Sequence, residues 1–165
     1  MKKIFIILFT LLLINTIQSQ ISTEHQLKQA NKAAVTWFNN LNIQYTNSKG
    51  ETCNNYPQAY SDLSYEIKNR FDSLDWVLGV EQMMISFGDF AGRKEVSRQF
   101  RSNWEGTDFA GRLPDGYYAI FQYESKYKNT INHSEQLILH QDHRSKWRIL
   151  DFSYDFTEGE GYTKE

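Results

Sequence analysis

Cysteine, proline and long apolar runs are what this 165-residue sequence has least of. Its single cysteine, Cys53, has no partner in the chain, so no intramolecular disulfide can staple the fold and stability has to come from packing. Two prolines and no Ser/Gly-rich stretch argue against a linker between two domains. A Gly-x-Ser-x-Gly elbow is absent, and Cys53 lies in a polar loop beside Glu51, Asn54 and Asn55, which supply no positive charge to activate a thiol. Excess positive charge is missing too: 18 Lys and Arg stand against 20 Asp and Glu.

One apolar run is present, and it lies at the start. Met1-Lys2-Lys3 precedes Ile4 to Ile14, broken by Thr10, and the chain then turns polar through Asn15 to Gln20. A basic start, a short apolar stretch and a polar exit are the layout of a secretory leader. Its apolar stretch is about half of the roughly 20 residues that span a bilayer. Residues 1–20 are therefore expected to be a signal peptide that exports the protein to the periplasm or beyond. Without them the formal charge moves from −2 to −4. An exported acidic chain is a poor match for nucleic acid, although Arg93, Lys94, Arg98, Arg101 and Arg112 mix with Phe100 and Trp104. Those cations are better read as guards on an edge strand, or as a surface for an anionic partner.

The rest is expected to be a single domain over residues 23–155, followed by a loose acidic tail over 156–165. Leu27, Ala30, Ala34, Trp37, Phe38 and Leu41 recur at helical steps. A second helix fits Tyr56 to Arg70, with Pro57 in its first turn, and a third starts near Asp72 or Ser73 and stops at Gly88. After Gly92 the period falls to two, which predicts strands over Arg93–Trp104, Tyr117–Lys128, His133–Asp142 and Lys146–Asp155. About three helices followed by about four strands predict an α+β fold, with the helices packed on one face of a twisted antiparallel sheet.

The spacing of Ala34 and Trp37, Tyr56 with Leu63 before Trp76, Gly88 with Arg93, Leu113-Pro114-Asp115-Gly116-Tyr117, Glu135, Trp147-Arg148 and Tyr154 resembles the bacterial family known as domain of unknown function 4019. The likeness covers roughly Ala30 to Tyr154. It implies an exported protein with a cone-like fold similar to cystatin-like and nuclear transport factor 2-like domains, and it brings no activity or catalytic residue.

Pairing the strands gives the candidate site. A two-residue turn at His143-Arg144 sets Glu135 against Phe152 and His133 against Tyr154, while a hairpin around Asn129 sets Leu137 against Phe121, Glu135 against Tyr123 and His133 against Ser125. One end of the helix-covered face is then apolar. The other gathers Tyr123, Ser125, His133, Glu135 and Tyr154. These five are the candidates for lining a ligand pocket, with Glu135 as a base or a ligand holder. The structural alternative pairs Glu135 with Arg93 or Arg148. No metal site is expected, because His140, Asp142 and His143 lack a second cluster of ligands, and no cofactor is implied. The leading reading is a non-catalytic ligand-binding or protein-interaction module of the cell envelope. The alternatives are a small hydrolase or isomerase using Glu135 with His133 or Tyr123, and a homodimer formed through the open sheet face.

Overall fold

The computed structural model describes residues 2–46, 48–50, 52–105, 107 and 111–160. Helix α1 runs from Lys2 to Asn42. All six apolar residues expected on its inner face are buried, and Ala30 and Ala34 are fully so. Their small side chains let the helix lie close to the sheet while Trp37 and Phe38 reach into it. Among the described residues no helix is long and apolar enough to cross a membrane.

The loop after α1 contains a small hairpin of β1 (Tyr45–Thr46) and β2 (Thr52–Cys53). The helix expected over Tyr56–Arg70 is instead two short ones, α2 (Tyr56–Ser61) and α3 (Tyr65–Lys68). The break has a tertiary cause. Ile149 donates its backbone N–H to the Asp62 carbonyl at 3.1 Å, and Ser64 donates to the Ile149 carbonyl at 2.7 Å. Leu63 thereby joins a strand edge in a parallel bridge, which residues inside a helix could not do. Helix α4 (Ser73–Phe87) starts where expected, with the Asp72 carboxylate accepting from the backbone N–H groups of Leu74 and Asp75. It ends at Gly88, whose φ of 77° suits glycine and whose missing side chain leaves room for Asn129.

Four long strands follow: β3 (Phe90–Arg101), β4 (Tyr118–Tyr127), β5 (Thr130–Gln141) and β6 (Trp147–Glu158). They form one antiparallel sheet in the order β3-β4-β5-β6. The fold is therefore α+β, with helices ahead of a four-stranded antiparallel sheet. Strand β6 continues to Glu158, three residues past the boundary expected at Asp155, because Phe156 packs against Phe87 at 5.5 Å. The end of the expected tail, residues 161–165, lies outside the described residues.

The β4–β5 register matches the expected one at Phe121–Leu137, Tyr123–Glu135 and Ser125–His133. The β5–β6 register does not: Glu135 pairs with Tyr154, and Leu137 with Phe152. Two features add up to this slip. The turn holds three residues rather than two, closed by Asp142 N–H to the Lys146 carbonyl at 2.8 Å, with Ser145 at φ 59°. A bulge then leaves Leu150 unpaired between the partners of Ile138 and Leu139.

Candidate functional site

Alternation along β4 and β5 decides what meets beneath α1. Phe121, Leu137 and Leu139 are fully buried at one end of the inner face, together with Ile149 of β6. At the other end Ser125, Tyr127, His133 and Glu135 are just as buried, although each carries a polar group. Glu135 is 2 % exposed and has four contacts for its two oxygens. Arg93 on β3 grips it with two prongs, Nε to Oε2 at 2.5 Å and Nη2 to Oε1 at 2.9 Å. Ser125 donates to Oε2 at 2.5 Å, and Tyr127 donates to Oε1 at 3.0 Å. Arg93 also donates to the Ser125 hydroxyl at 3.1 Å and the Tyr127 hydroxyl at 2.9 Å. Its guanidinium lies 3.5 Å from the centre of the Phe38 ring. A forked cation, a carboxylate and two hydroxyls thus satisfy one another, and the Tyr127 hydroxyl also lies 3.3 Å from Asn42 Oδ1 on α1.

His133 lies beside this set. Its Nδ1 is 2.9 Å from the Thr130 hydroxyl, and its Nε2 stands 3.8 Å from Glu135 Oε1 with no hydrogen-bond partner among the described residues. The ring packs between Phe156, stacked at 5.3 Å, and Phe87, edge-on at 4.6 Å. Burial among these rings lowers the imidazole pKa below its ordinary value; Glu135 pulls it up and Arg93 pushes it down further. The Tyr127 phenol is held far above its usual range, first by burial and then by the Glu135 charge.

The five pocket candidates are therefore placed in three ways. Ser125, His133 and Glu135 come together around Arg93. Tyr154, 43 % exposed, packs on Phe87 at 5.0 Å and lies at the margin. Tyr123 also lines the groove between α1 and β3, and among the described residues its enclosed hydroxyl has no hydrogen-bond partner. Of the two cations expected to pair with Glu135, Arg93 does so. Arg148 does not: the β5–β6 slip sets it opposite His140, where it reaches Asp142 at 3.2 Å and Asp62 at 3.9 Å. Tyr127 was missed, although it shares the strand parity of Tyr123 and Ser125.

His140 is stacked on Tyr118 at 4.9 Å, whereas His143 is exposed. Gly116 makes this stack fit, since a side chain there would come within 2.8 Å of the His140 Nε2. Among the described residues no group of three or more His, Cys, Asp or Glu side chains is placed to hold a metal ion. The opposite face of the sheet is polar, with Lys94, Ser97, Gln122, Glu124 and Ser153 exposed.

The family of proteins of unknown function DUF4019 matches residues 52–152, from the small hairpin to the middle of β6. No curated protein and no solved structure matches the chain significantly.

Proposed function

The chain belongs to the DUF4019 family, and we propose that it acts as a non-catalytic binding module of the bacterial envelope, carried there by the leader read at residues 1–20. The observation that carries this reading is the saturation of Glu135. A general base has to reach a substrate proton, and this carboxylate is 2 % exposed, clamped by Arg93 and donated to by Ser125 and Tyr127. An acid–base enzyme built on Glu135 with His133 or Tyr123 would need that set to open. His133 is walled by aromatic rings, and the Tyr123 hydroxyl is enclosed and makes no hydrogen bond to Glu135. The succession of a long helix, shorter helices and a four-stranded antiparallel sheet supports the cystatin-like or nuclear transport factor 2-like fold that the resemblance implies. Homodimerisation through the open sheet face is the weaker reading, because that face presents charged and amide side chains rather than an apolar patch.

Two measurements test this reading. Expressed in a Gram-negative host, the chain is expected in the periplasmic or secreted fraction, shortened at its N-terminus; a full-length cytoplasmic product refutes the envelope assignment. A panel of ester, amide, glycoside and ketone substrates is expected to show no turnover. Turnover that disappears in Glu135→Gln and survives in Tyr127→Phe would restore the enzyme.

A further inference from the structure

Beside the two ion pairs at the β3 edge, the Tyr123 hydroxyl is left unanswered among the described residues. Between α1 and β3 runs a groove of about 420 Å³, with Phe38 and Asn39 of α1 on one side, Phe90, Arg93 and Glu95 of β3 on the other, and Tyr123 at its base. Tyr123 is 6 % exposed, so more than nine-tenths buried, and among the described residues no group hydrogen-bonds its hydroxyl. Leaving such a hydroxyl unsatisfied is costly, and the groove that Tyr123 lines is the side from which a partner would enter. The ring itself is fixed, edge-on to Phe38 at 5.2 Å and stacked near Phe121 at 6.2 Å.

The charges around the groove indicate what that partner is. Arg93 is spent on Glu135. Arg98 is spent on Glu95, through Nε at 2.5 Å and Nη2 at 2.8 Å. With each cation matched to a carboxylate, a charged ligand gains no uncompensated partner and still loses its water. The polar groups lining the groove besides the paired cations are the Tyr123 hydroxyl, which both donates and accepts, the remaining lone pairs of the Glu95 carboxylate, and the side-chain amides of Asn31, Asn39 and Asn42. Apolar surface surrounds them: Phe90 is 38 % exposed, and Val35 is 48 % exposed. A few placed polar groups within apolar walls are the make-up of a small-molecule site.

We propose that the α1–β3 groove binds a neutral saccharide of one or two rings, with a ring hydroxyl on Tyr123, a second hydroxyl donating to Glu95, and a C–H face against Phe90. The proposal rests on the non-catalytic binding reading above and names its ligand class. Sugars suit the site because their hydroxyls complement a group that both donates and accepts, they carry no charge, and one or two rings fill a space of this size.

The test is a titration of the full ¹⁵N-labelled chain with N-acetylglucosamine, glucose and trehalose, with inorganic phosphate as the charged comparison. Saturable amide shifts at Phe90, Glu95 and Tyr123 with at least one sugar, and none with phosphate, are expected. Tyr123→Phe keeps the packing of the ring and is expected to weaken binding by about tenfold, one hydrogen bond's worth. Glu95→Gln, a second variant that spares the core, is expected to weaken it also. Absence of saturable shifts with all three sugars overturns the site, as does sugar binding unchanged in Tyr123→Phe, which would mean that water alone answers the hydroxyl. Preferential binding of phosphate overturns it as well. None of these results affects the non-catalytic reading, which falls instead on turnover lost in Glu135→Gln.

Discussion

The two ends of the sheet's inner face are equally buried and are held by different physics. At the apolar end Phe121, Leu137 and Leu139 pack under α1, and what matters is that volume is filled. At the polar end Arg93, Ser125, Tyr127 and Glu135 are matched donor to acceptor, and what matters is that each partner is present. The first kind of order degrades gradually as atoms are removed. The second fails when one member is lost, because the remainder are left buried with unanswered charge.

The sharpest way to break the comparison is to remove one member of the matched set. Arg93→Met is expected to lose about 3–5 kcal/mol in urea unfolding, since it leaves the Glu135 carboxylate buried without its counter-charge. Adding Glu135→Leu to that variant is expected to restore more than half of the loss; a double variant no better than the single one would show that packing, rather than charge, sets this end. Leu137→Ala at the other end is expected to cost about 3 kcal/mol, with Leu137→Met under about 1.5 kcal/mol. Shape-conserving change is tolerated there. By contrast, Arg93→Lys keeps the charge and loses the fork, and so is expected to be unfavourable.

A smaller pair sharpens the contrast within one residue type. Tyr127→Phe removes a hydroxyl that donates to Glu135 and accepts from Arg93, and should cost about 1–2 kcal/mol. Tyr123→Phe removes a buried hydroxyl that has no partner among the described residues, and is expected to leave unfolding unchanged or to raise stability by about 1 kcal/mol. Equal losses in the two variants would mean that Tyr123 has a partner within the fold.

Much of this contrast could be read from the chain before any coordinates. Strict alternation in β4 and β5, joined by a short turn at Asn129, placed Glu135 opposite Tyr123 and next to the apolar end. The β5–β6 pairing came out two residues off for reasons that carry little local signature. Ser145 adopts a left-handed conformation usually marked by glycine or asparagine, and the bulge falls within Ile149-Leu150, where both residues are apolar. Two single slips make an even number, so Glu135 and Tyr154 kept their face; Arg148 lies beyond only the first slip and changed sides. The break between α2 and α3 was hidden because its cause is hydrogen bonding to a strand far away in sequence. Stacking of Arg93 on Phe38 was hidden for the same reason, since α1 and β3 meet only in the folded chain.

The smallest expected effect is a slope. His133 is one side chain of the polar end left partly unanswered, and its folded pKa lies below the ordinary value of 6.5 because burial and Arg93 disfavour the imidazolium more than Glu135 favours it. As pH falls through about 6.5 the unfolded chain therefore takes up a proton that the folded one resists, and stability is lost from there downwards. Asp62 and Asp151 have carboxyls raised by burial and act in the opposite sense, since each favours the folded state as it becomes protonated. The test is therefore a difference: urea unfolding of the wild type and His133→Phe between about pH 7.5 and 5.5. A phenyl ring suits the company of Phe87, Tyr127 and Phe156. The variant is expected to lose less stability over that range, whereas parallel curves would show that the imidazole is as free to take a proton in the folded protein as in the unfolded chain.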